Sequence, residues 1–328
     1  MNDLGLHLIT LEVTTECNLN CIHCYQDRTL KIASNHKSIA EEDIECIKRE
    51  LETVTPHYLI LSGGEPLIIG KRLFYIAKEM RNYCRKLFLT TNGQLVRNYP
   101  ASLFNIFDGV QISLDGPKEI HEMIRGKGTF EEAIYASRYL KNEEISVSFL
   151  MALHALNMNY IEQTYEIARS FNAPFGVERV SPVGDGKNVK PIDINEWKDS
   201  LKLIVNKNIG CGDPLAFIFK KNFKTKLNPN KITGGCMAGV ASLTITTSLD
   251  ILPCVRLRMS VGNLKNSSLR DIWINSSVLK KFRNRSAFKG KCGVCNYRNI
   301  CGGCRTDAYA KTGDCLGSDP LCWIEEKR

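Results

Sequence analysis

An alternation constrains this chain more than any other feature. Between residues 6 and 180, short apolar runs are separated by stretches with helical period. The runs read LHLITLEVT (6–14), HYLILSG (57–63), KLFLTTNG (86–93), GVQISLDG (109–116), ISVSFLMAL (145–153) and FGVERV (175–180). Each is rich in Val, Ile, Leu or Phe, and most end at glycine or a polar turn, which is how buried strands read. Between them, Ser38 and Glu41 make a capping box that opens IAEEDIECIKRELETV. KRLFYIAKEMRNYC (71–84) sets Leu73, Ile76, Ala77, Met80 and Cys84 on one helical face. FEEAIYASRYLK (130–141) and YIEQTYEIARSF (160–171) continue the alternation. Repeated strand–helix units predict an α/β fold with a parallel sheet and crossover helices, either a partial barrel or an open doubly wound sheet. In both, the chemistry belongs at the C-terminal ends of the strands.

A helix over INEWKDSLKLIVNK (194–207) follows, and then the character changes to Gly, Cys, Lys and Asn. This divides the chain into a core at 1–185, a helical linker at 186–231 and a loop-rich, cysteine-dense domain at 232–328. No apolar run is long enough to span a membrane. The start, MNDLGLHLIT, lacks a basic region and a cleavage site, so a cytoplasmic protein is expected. The net charge is +9, with Lys and Arg dense at 219–231 and 280–291. Those stretches read as solvated faces or as an attraction for an acidic partner. No nucleic-acid recognition motif accompanies them.

The 14 cysteines need a reason. A disulfide scaffold belongs to small secreted chains, whereas here the spacings are short and ligand-like, which favours metal binding. CNLNCIHC (17–24) places Cys17, Cys21 and Cys24 in a loop directly after the first strand. Three thiolates can hold three irons of a [4Fe–4S] cube and leave the fourth iron open. Zinc would need a fourth ligand, and His23 beside Cys24 suits a tetrahedral site poorly. Cys46 lies inside its helix without a partner at ligand spacing, and Cys84 falls on a core face. Near the C-terminus, CGVCNYRNICGGC reads CxxCx5CxxC, too short in the middle for the usual zinc ribbon.

The CxxxCxxC loop is joined by GGEP (63–66) at the end of the second strand and by ISLDGPKEIHEMIRGKGTF (112–130) at a later one. Together they resemble the radical S-adenosylmethionine (radical SAM) superfamily. The resemblance implies a partial (β/α)6 TIM-like barrel. It also implies a [4Fe–4S] cluster on Cys17, Cys21 and Cys24, whose open iron is chelated by the methionine amino and carboxylate groups of S-adenosylmethionine. Reductive cleavage of that cosubstrate yields a 5′-deoxyadenosyl radical, which abstracts hydrogen from substrate. By the same resemblance, Gly63, Gly64 and Glu65 face the amino group, Ser113 lies near the ribose, and Arg125 pairs with the carboxylate. Tyr25 and Asn92 are further cofactor-side candidates, although Asn92 also reads as a turn residue. His154, Glu178 and Arg179 are pocket candidates by strand-end position.

The C-terminal set, Cys236, Cys254, Cys292, Cys295, Cys301, Cys304 and Cys322, resembles the SPASM extension of this superfamily. It implies one or two auxiliary [4Fe–4S] clusters, one on Cys236, Cys254 and Cys304, the other on Cys292, Cys295, Cys301 and Cys322. Several positions depart from the pattern. Leu249 stands where glycine is expected, Asn230 where cysteine is expected, and the last core gap is x2. Cys211 or Cys315 could supply the missing thiolate, or the site could be open. Val255 after Cys254 argues against sulfatase maturation. Two enzyme classes fit. The reading favoured by the sequence is a maturase of a ribosomally made peptide or protein; the alternative is a tetrapyrrole side-chain enzyme, which the tail CGGCRTDAYAKTGDCLGSDPLC also resembles. Only a few residues precede the first strand, so peptide recognition is expected from a separate protein or from the catalytic domain. Flavodoxin or ferredoxin would supply the electron. An iron–sulfur electron carrier is the non-enzyme reading, which GGEP and SLDG disfavour.

Overall fold

The computed structural model describes residues 4–27, 37–220 and 231–325. Six parallel strands appear where the apolar runs predict them: β1 (Leu8–Thr14), β2 (Tyr58–Gly63), β3 (Lys86–Thr91), β4 (Gly109–Ser113), β5 (Val147–Leu153) and β6 (Phe175–Arg179). They stand side by side in chain order, each pairing in parallel with the next. Burial alternates along β5, and strand residues such as Leu11, Leu61, Leu89, Ile112 and Phe149 are fully buried. Parallel strands covered by crossover helices are expected to be this apolar.

The sheet does not stop at the sixth strand. β7 (Gly210–Cys211), inside the expected helical linker, pairs with β6, and β8 (Ser242–Ile245), from the cysteine-rich segment, pairs in parallel with β1. β9 (Asp250–Leu252) and β10 (Gly262–Asn263) continue that edge antiparallel. One ten-stranded sheet, open at β10 and β7, thus runs through all three expected segments. β1 is left with a bare edge by the β/α order, and the apolar SLTI run of β8 satisfies its backbone groups.

The helices are α1 (Glu41–Val54), α2 (Lys71–Met80), α3 (Lys118–Arg125), α4 (Thr129–Asn142), α5 (Ile161–Ser170), α6 (Ile194–Asn206), α7 (Leu269–Asn275), α8 (Ser277–Arg283), α9 (Gly290–Val294) and α10 (Arg305–Thr312). α1 buries Ile44, Ile47, Leu51 and Val54 on one face and carries Glu41, Glu42 and Asp43 in its first turn, where the helix dipole favours acids. The expected capping box is not formed. Ala40 is the N-cap, and Ser38 instead bridges to Thr14, its hydroxyl donating to Thr14 Oγ1 at 3.3 Å. α2 ends earlier than its pattern suggests, yielding to a 3-10 turn at Arg81–Tyr83, while Cys84 is core as expected. The basic stretch at 219–231, with Asn230, lies mostly outside the described residues.

The C-terminal segment is clamped to the core by buried ion pairs. Arg179, at the end of β6 and 3% exposed, donates Nε to Asp213 Oδ2 at 2.5 Å, Nη1 to Asp307 Oδ2 at 3.1 Å and Nη2 to Asp319 Oδ2 at 2.7 Å. Asp319 also accepts the Cys304 N–H at 2.8 Å. Arg179 lines the strand-end cleft, as expected, and spends its guanidinium as a latch between β6 and the cysteine-rich segment.

Candidate active site

The loop after β1 carries Cys17, Cys21 and Cys24 into one cleft of about 270 Å³ at the C-terminal ends of the strands. Tyr25, Gly63, Gly64, Asn92, Ser113, Arg125 and Glu178 line the same cleft. His154 does not; it is buried behind His23, with ring centroids 5.5 Å apart, and burial lowers its pKa.

Neighbouring strand ends hold the loop. Gly64 N donates to Thr14 O and Glu65 N to Glu16 O, both at 2.7 Å. A Cβ on Gly63 would sit 2.1 Å from Thr14 O, and one on Gly64 2.0 Å from Glu16 O. The glycine pair is thus required first by the close approach of two protein backbones. Glu65, expected to face an ammonium group, turns away from the cleft. Its Oε1 accepts from Leu67 N at 3.1 Å and Thr91 Oγ1 at 2.8 Å, and its Oε2 accepts from Asn92 N at 2.8 Å. Burial pushes this carboxyl up while those donors oppose the shift. Glu65 ties the ends of β2 and β3 together, and Asn92 Nδ2 carries the tie on to Asn18 Oδ1 of the cysteine loop at 3.0 Å. Asn92 is also the turn residue it resembled, its Oδ1 accepting from Gln94 N at 2.9 Å.

Asp115 is the hub that the sequence reading missed. It is fully buried just beyond β4, and its Oδ1 accepts from Ala152 N at 2.8 Å. Its Oδ2 accepts from Arg125 Nε at 2.5 Å and lies 3.6 Å from His23 Nε2. Burial alone would raise Asp115, but Arg125, then His23 and His121, hold it well below the usual carboxylate range. Arg125 is thereby fixed at the end of α3 with Nη1 at 3.9 Å from Cys21 Sγ. Burial pushes the Cys21 thiol up to about 11 against the pull of Arg125, and lowers His23 to about 3.

Glu12 is the second missed residue. Fully buried on β1, its Oε1 accepts from Arg258 Nη1 at 2.6 Å and from Tyr25 OH at 3.3 Å. Tyr25 OH also lies 3.2 Å from Gly63 O. Burial, then Glu12, push the Tyr25 phenol well above its ordinary value. Tyr25 thus anchors the cysteine loop from below.

Cys292, Cys295, Cys301 and Cys322 line one cavity of about 220 Å³ in the C-terminal segment. Backbone donors aim at their sulfurs: Tyr297 N lies 3.3 Å from Cys295 Sγ and Gly303 N 3.3 Å from Cys301 Sγ. Arg305 Nη2 lies 3.6 Å from Cys292 Sγ. Donors placed this way suit thiolates held by iron, whose potential such bonds tune. Cys236, Cys254 and Cys315 pack around a small apolar group that includes Leu257, Phe282 and Leu316. Cys304 turns its thiol to Asp307 Oδ1 at 3.4 Å, beside the latch. Cys211 sits on edge strand β7 opposite Val177, with burial raising its thiol to about 12. Among the described residues there is no disulfide, and no three His, Cys, Asp or Glu side chains converge closely enough to share one metal ion. A single zinc needs that convergence, whereas a cube distributes its thiolates over separate irons. The thiols that line one cleft and one cavity are of the donor type that iron–sulfur clusters take.

Comparison with known proteins agrees with this chemistry. Residues 11–168 match the radical SAM superfamily, and residues 236–304 match SPASM, an iron-sulfur cluster-binding domain. The chain belongs to the radical SAM superfamily. Within it, the chain is an enzyme of the SPASM type, with S-adenosylmethionine, a [4Fe–4S] cluster and auxiliary iron–sulfur clusters as its cofactors. It is 29% identical to an AdoMet-dependent heme synthase of Methanosarcina barkeri, across 96% of this chain and 95% of that protein. It is 23% identical to mycofactocin maturase MftC of Mycolicibacterium smegmatis, across 96% of this chain and 82% of that protein. The fold matches Streptococcus suis SuiB bound to precursor peptide SuiA, with a TM-score of 0.75 at 17% identity, covering 97% of this chain and 76% of that one.

Proposed function

We propose that Cys17, Cys21 and Cys24 hold the catalytic cluster, and that S-adenosylmethionine cleaved there abstracts hydrogen from a ribosomally made peptide or protein. The carrying observation is the convergence of three thiols, the glycine pair, Ser113 and Arg125 on one cleft. When bound, the cluster and cosubstrate supply the electron transfer and the radical. The protein's own part is positioning. Asp115 orients Arg125 toward the cosubstrate carboxylate, a task that suits a guanidinium. The backbone at Gly63–Gly64 takes the amino group, and Ser113 lies by the ribose. Glu65 acts one step removed, by fixing the β2 and β3 ends. The four-cysteine cavity holds an auxiliary cluster, and flavodoxin or ferredoxin delivers the electron.

The peptide reading draws on the maturase among the relatives. A second reading, hydrogen abstraction from a tetrapyrrole side chain, draws on the heme synthase relative, which aligns with this chain nearly end to end. Both are tested by anaerobic turnover with dithionite. The wild-type protein is expected to release 5′-deoxyadenosine. Deuterium transferred into it from a labelled precursor peptide would support the first reading, and from a labelled propionate porphyrin the second. Absence of 5′-deoxyadenosine would refute both.

A further inference from the structure

We propose that Arg256 anchors a carboxylate of the substrate, and that the cavity beside β8 and β9 receives the substrate's body. The proposal rests on the reading that substrate is attacked in the cysteine cleft.

The position of Arg256 carries it furthest. The residue lines the cysteine cleft and also a second cavity, of about 490 Å³. Tyr25 lines both as well, so the two spaces meet at these side chains. A molecule held on Arg256 from the second cavity would lie one side chain away from the cleft in which the cosubstrate is proposed to be cleaved.

Bonding supplies the second argument. Arg256 Nη1 donates to Arg179 O at 2.5 Å, which fixes the guanidinium on the latch strand. Its Nε is buried without a hydrogen-bond partner. Buried donors are normally satisfied, so one left over marks a guanidinium whose bonding is not completed within the fold. A carboxylate matches the paired N–H groups of a guanidinium. The cavity wall adds the half-exposed Arg258, held by Glu12, and the hydroxyls of Thr247 and Ser260. Cys254, Glu178, Cys304 and Asp307 act on Arg256 by their charge, and the cavity wall also carries the carboxylates Asp27, paired with Lys187, and Asp250, which accepts from Ser248 and Ser260. Asp307 is already paired with Arg179, and Glu178 is exposed. The competing role for Arg256 is therefore that of a counter-charge for thiolates at Cys254 and Cys304.

A carboxylate can come from an acidic peptide or from a propionate-bearing porphyrin, and the experiment separates them. Wild type, Arg256→Gln and Arg256→Lys, each reconstituted with iron and sulfide and saturated with S-adenosylmethionine, are titrated with a four-propionate porphyrin and its methyl ester. The same proteins are titrated with a glutamate-rich peptide and its glutamine counterpart. One acid is expected to bind wild type while its neutral form does not. Arg256→Gln should weaken that binding about 10- to 100-fold, with Arg256→Lys in between. Iron content and the auxiliary EPR signal should be unchanged in both variants. Binding of neither acid at about 1 mM, equal affinity in Arg256→Gln, or loss of the auxiliary signal in the variants would overturn the proposal. Failure of wild type to cleave S-adenosylmethionine would instead strike the functional reading on which it rests.

Discussion

The cysteine loop at the strand ends and the cysteine cavity near the C-terminus use the same side chain in opposite settings. The loop brings three thiols to an accessible cleft shared with Gly63, Ser113 and Arg125. The cavity gathers four, Cys292, Cys295, Cys301 and Cys322, with backbone N–H groups on two of the sulfurs. Three thiolates leave a cube one position for another ligand; four leave none. The surroundings follow this difference. The loop is served by Arg125, a cation that Asp115 holds in place, while the latch residue Asp319 lines the cavity and ties the segment to β6. Both spaces open to solvent, so the difference between them lies in the number of thiols and in the groups beside them.

The largest way to break the comparison is to cut the latch between its two regions. Asp319→Ala leaves Arg179 short of the partner that accepts from both of its terminal nitrogens. Asp319 also accepts from Cys304 N and Leu321 N, so its removal strips buried donors of several hydrogen bonds, each worth about 1 kcal/mol or more, and urea denaturation should show that loss, with the C-terminal segment becoming protease-sensitive first. Wild-type resistance would mean that the latch does not join the regions.

A middle-sized effect belongs to the loop alone. Arg125→Ala should weaken S-adenosylmethionine binding about 10- to 100-fold, as measured by equilibrium dialysis. It also strips Asp115 of the cation that keeps it ionised. Stability contributed by Asp115 is present above the ordinary carboxylate range and is lost as pH falls through its lowered native value. The variant should therefore lose the stability that Asp115 gives wild type at neutral pH. Unchanged affinity would remove Arg125 from the cosubstrate site.

The smallest effect sharpens the latch. Three carboxylates share one guanidinium, and burial pushes Asp213 up to about 6 despite Arg179. Its charge is thus the costly one, and this group takes stability away as pH rises from about 4 to about 6. Asp213→Asn should cost about 1 kcal/mol or less at pH 7. It should cost more near pH 4, where wild type is protonated and gains. A uniform cost across that range would contradict the assignment of the raised carboxyl.

What was legible in the sequence was local. The apolar runs announce β1–β6 because strands packed under crossover helices are rich in apolar residues, and the cysteine spacings announce ligands because thiols a few residues apart in one loop can share a cluster. What was hidden is joined across long stretches of chain. Arg179 meets Asp307 and Asp319 at separations of 128 and 140 residues, and no local pattern foretells that pairing. β8 beside β1 depends on a bare sheet edge visible only once the strand order is known. Glu65 shows a further limit. GGEP places a carboxylate at a strand end, but its direction is set by the Thr91 hydroxyl and by the backbone N–H groups of Asn92 and Leu67. Asp115 stood in the quoted SLDG motif, yet its role emerges only when α3 returns Arg125 to it.

The central claim is that the three-thiol loop, not the four-thiol cavity, cleaves S-adenosylmethionine. The direct measurement is anaerobic 5′-deoxyadenosine formation with dithionite by a variant with Cys17, Cys21 and Cys24 all changed to Ala, with iron counted in the same sample. The account predicts no product above background, with iron and an EPR signal retained by the C-terminal cavity. Wild-type product formation by that variant would contradict it.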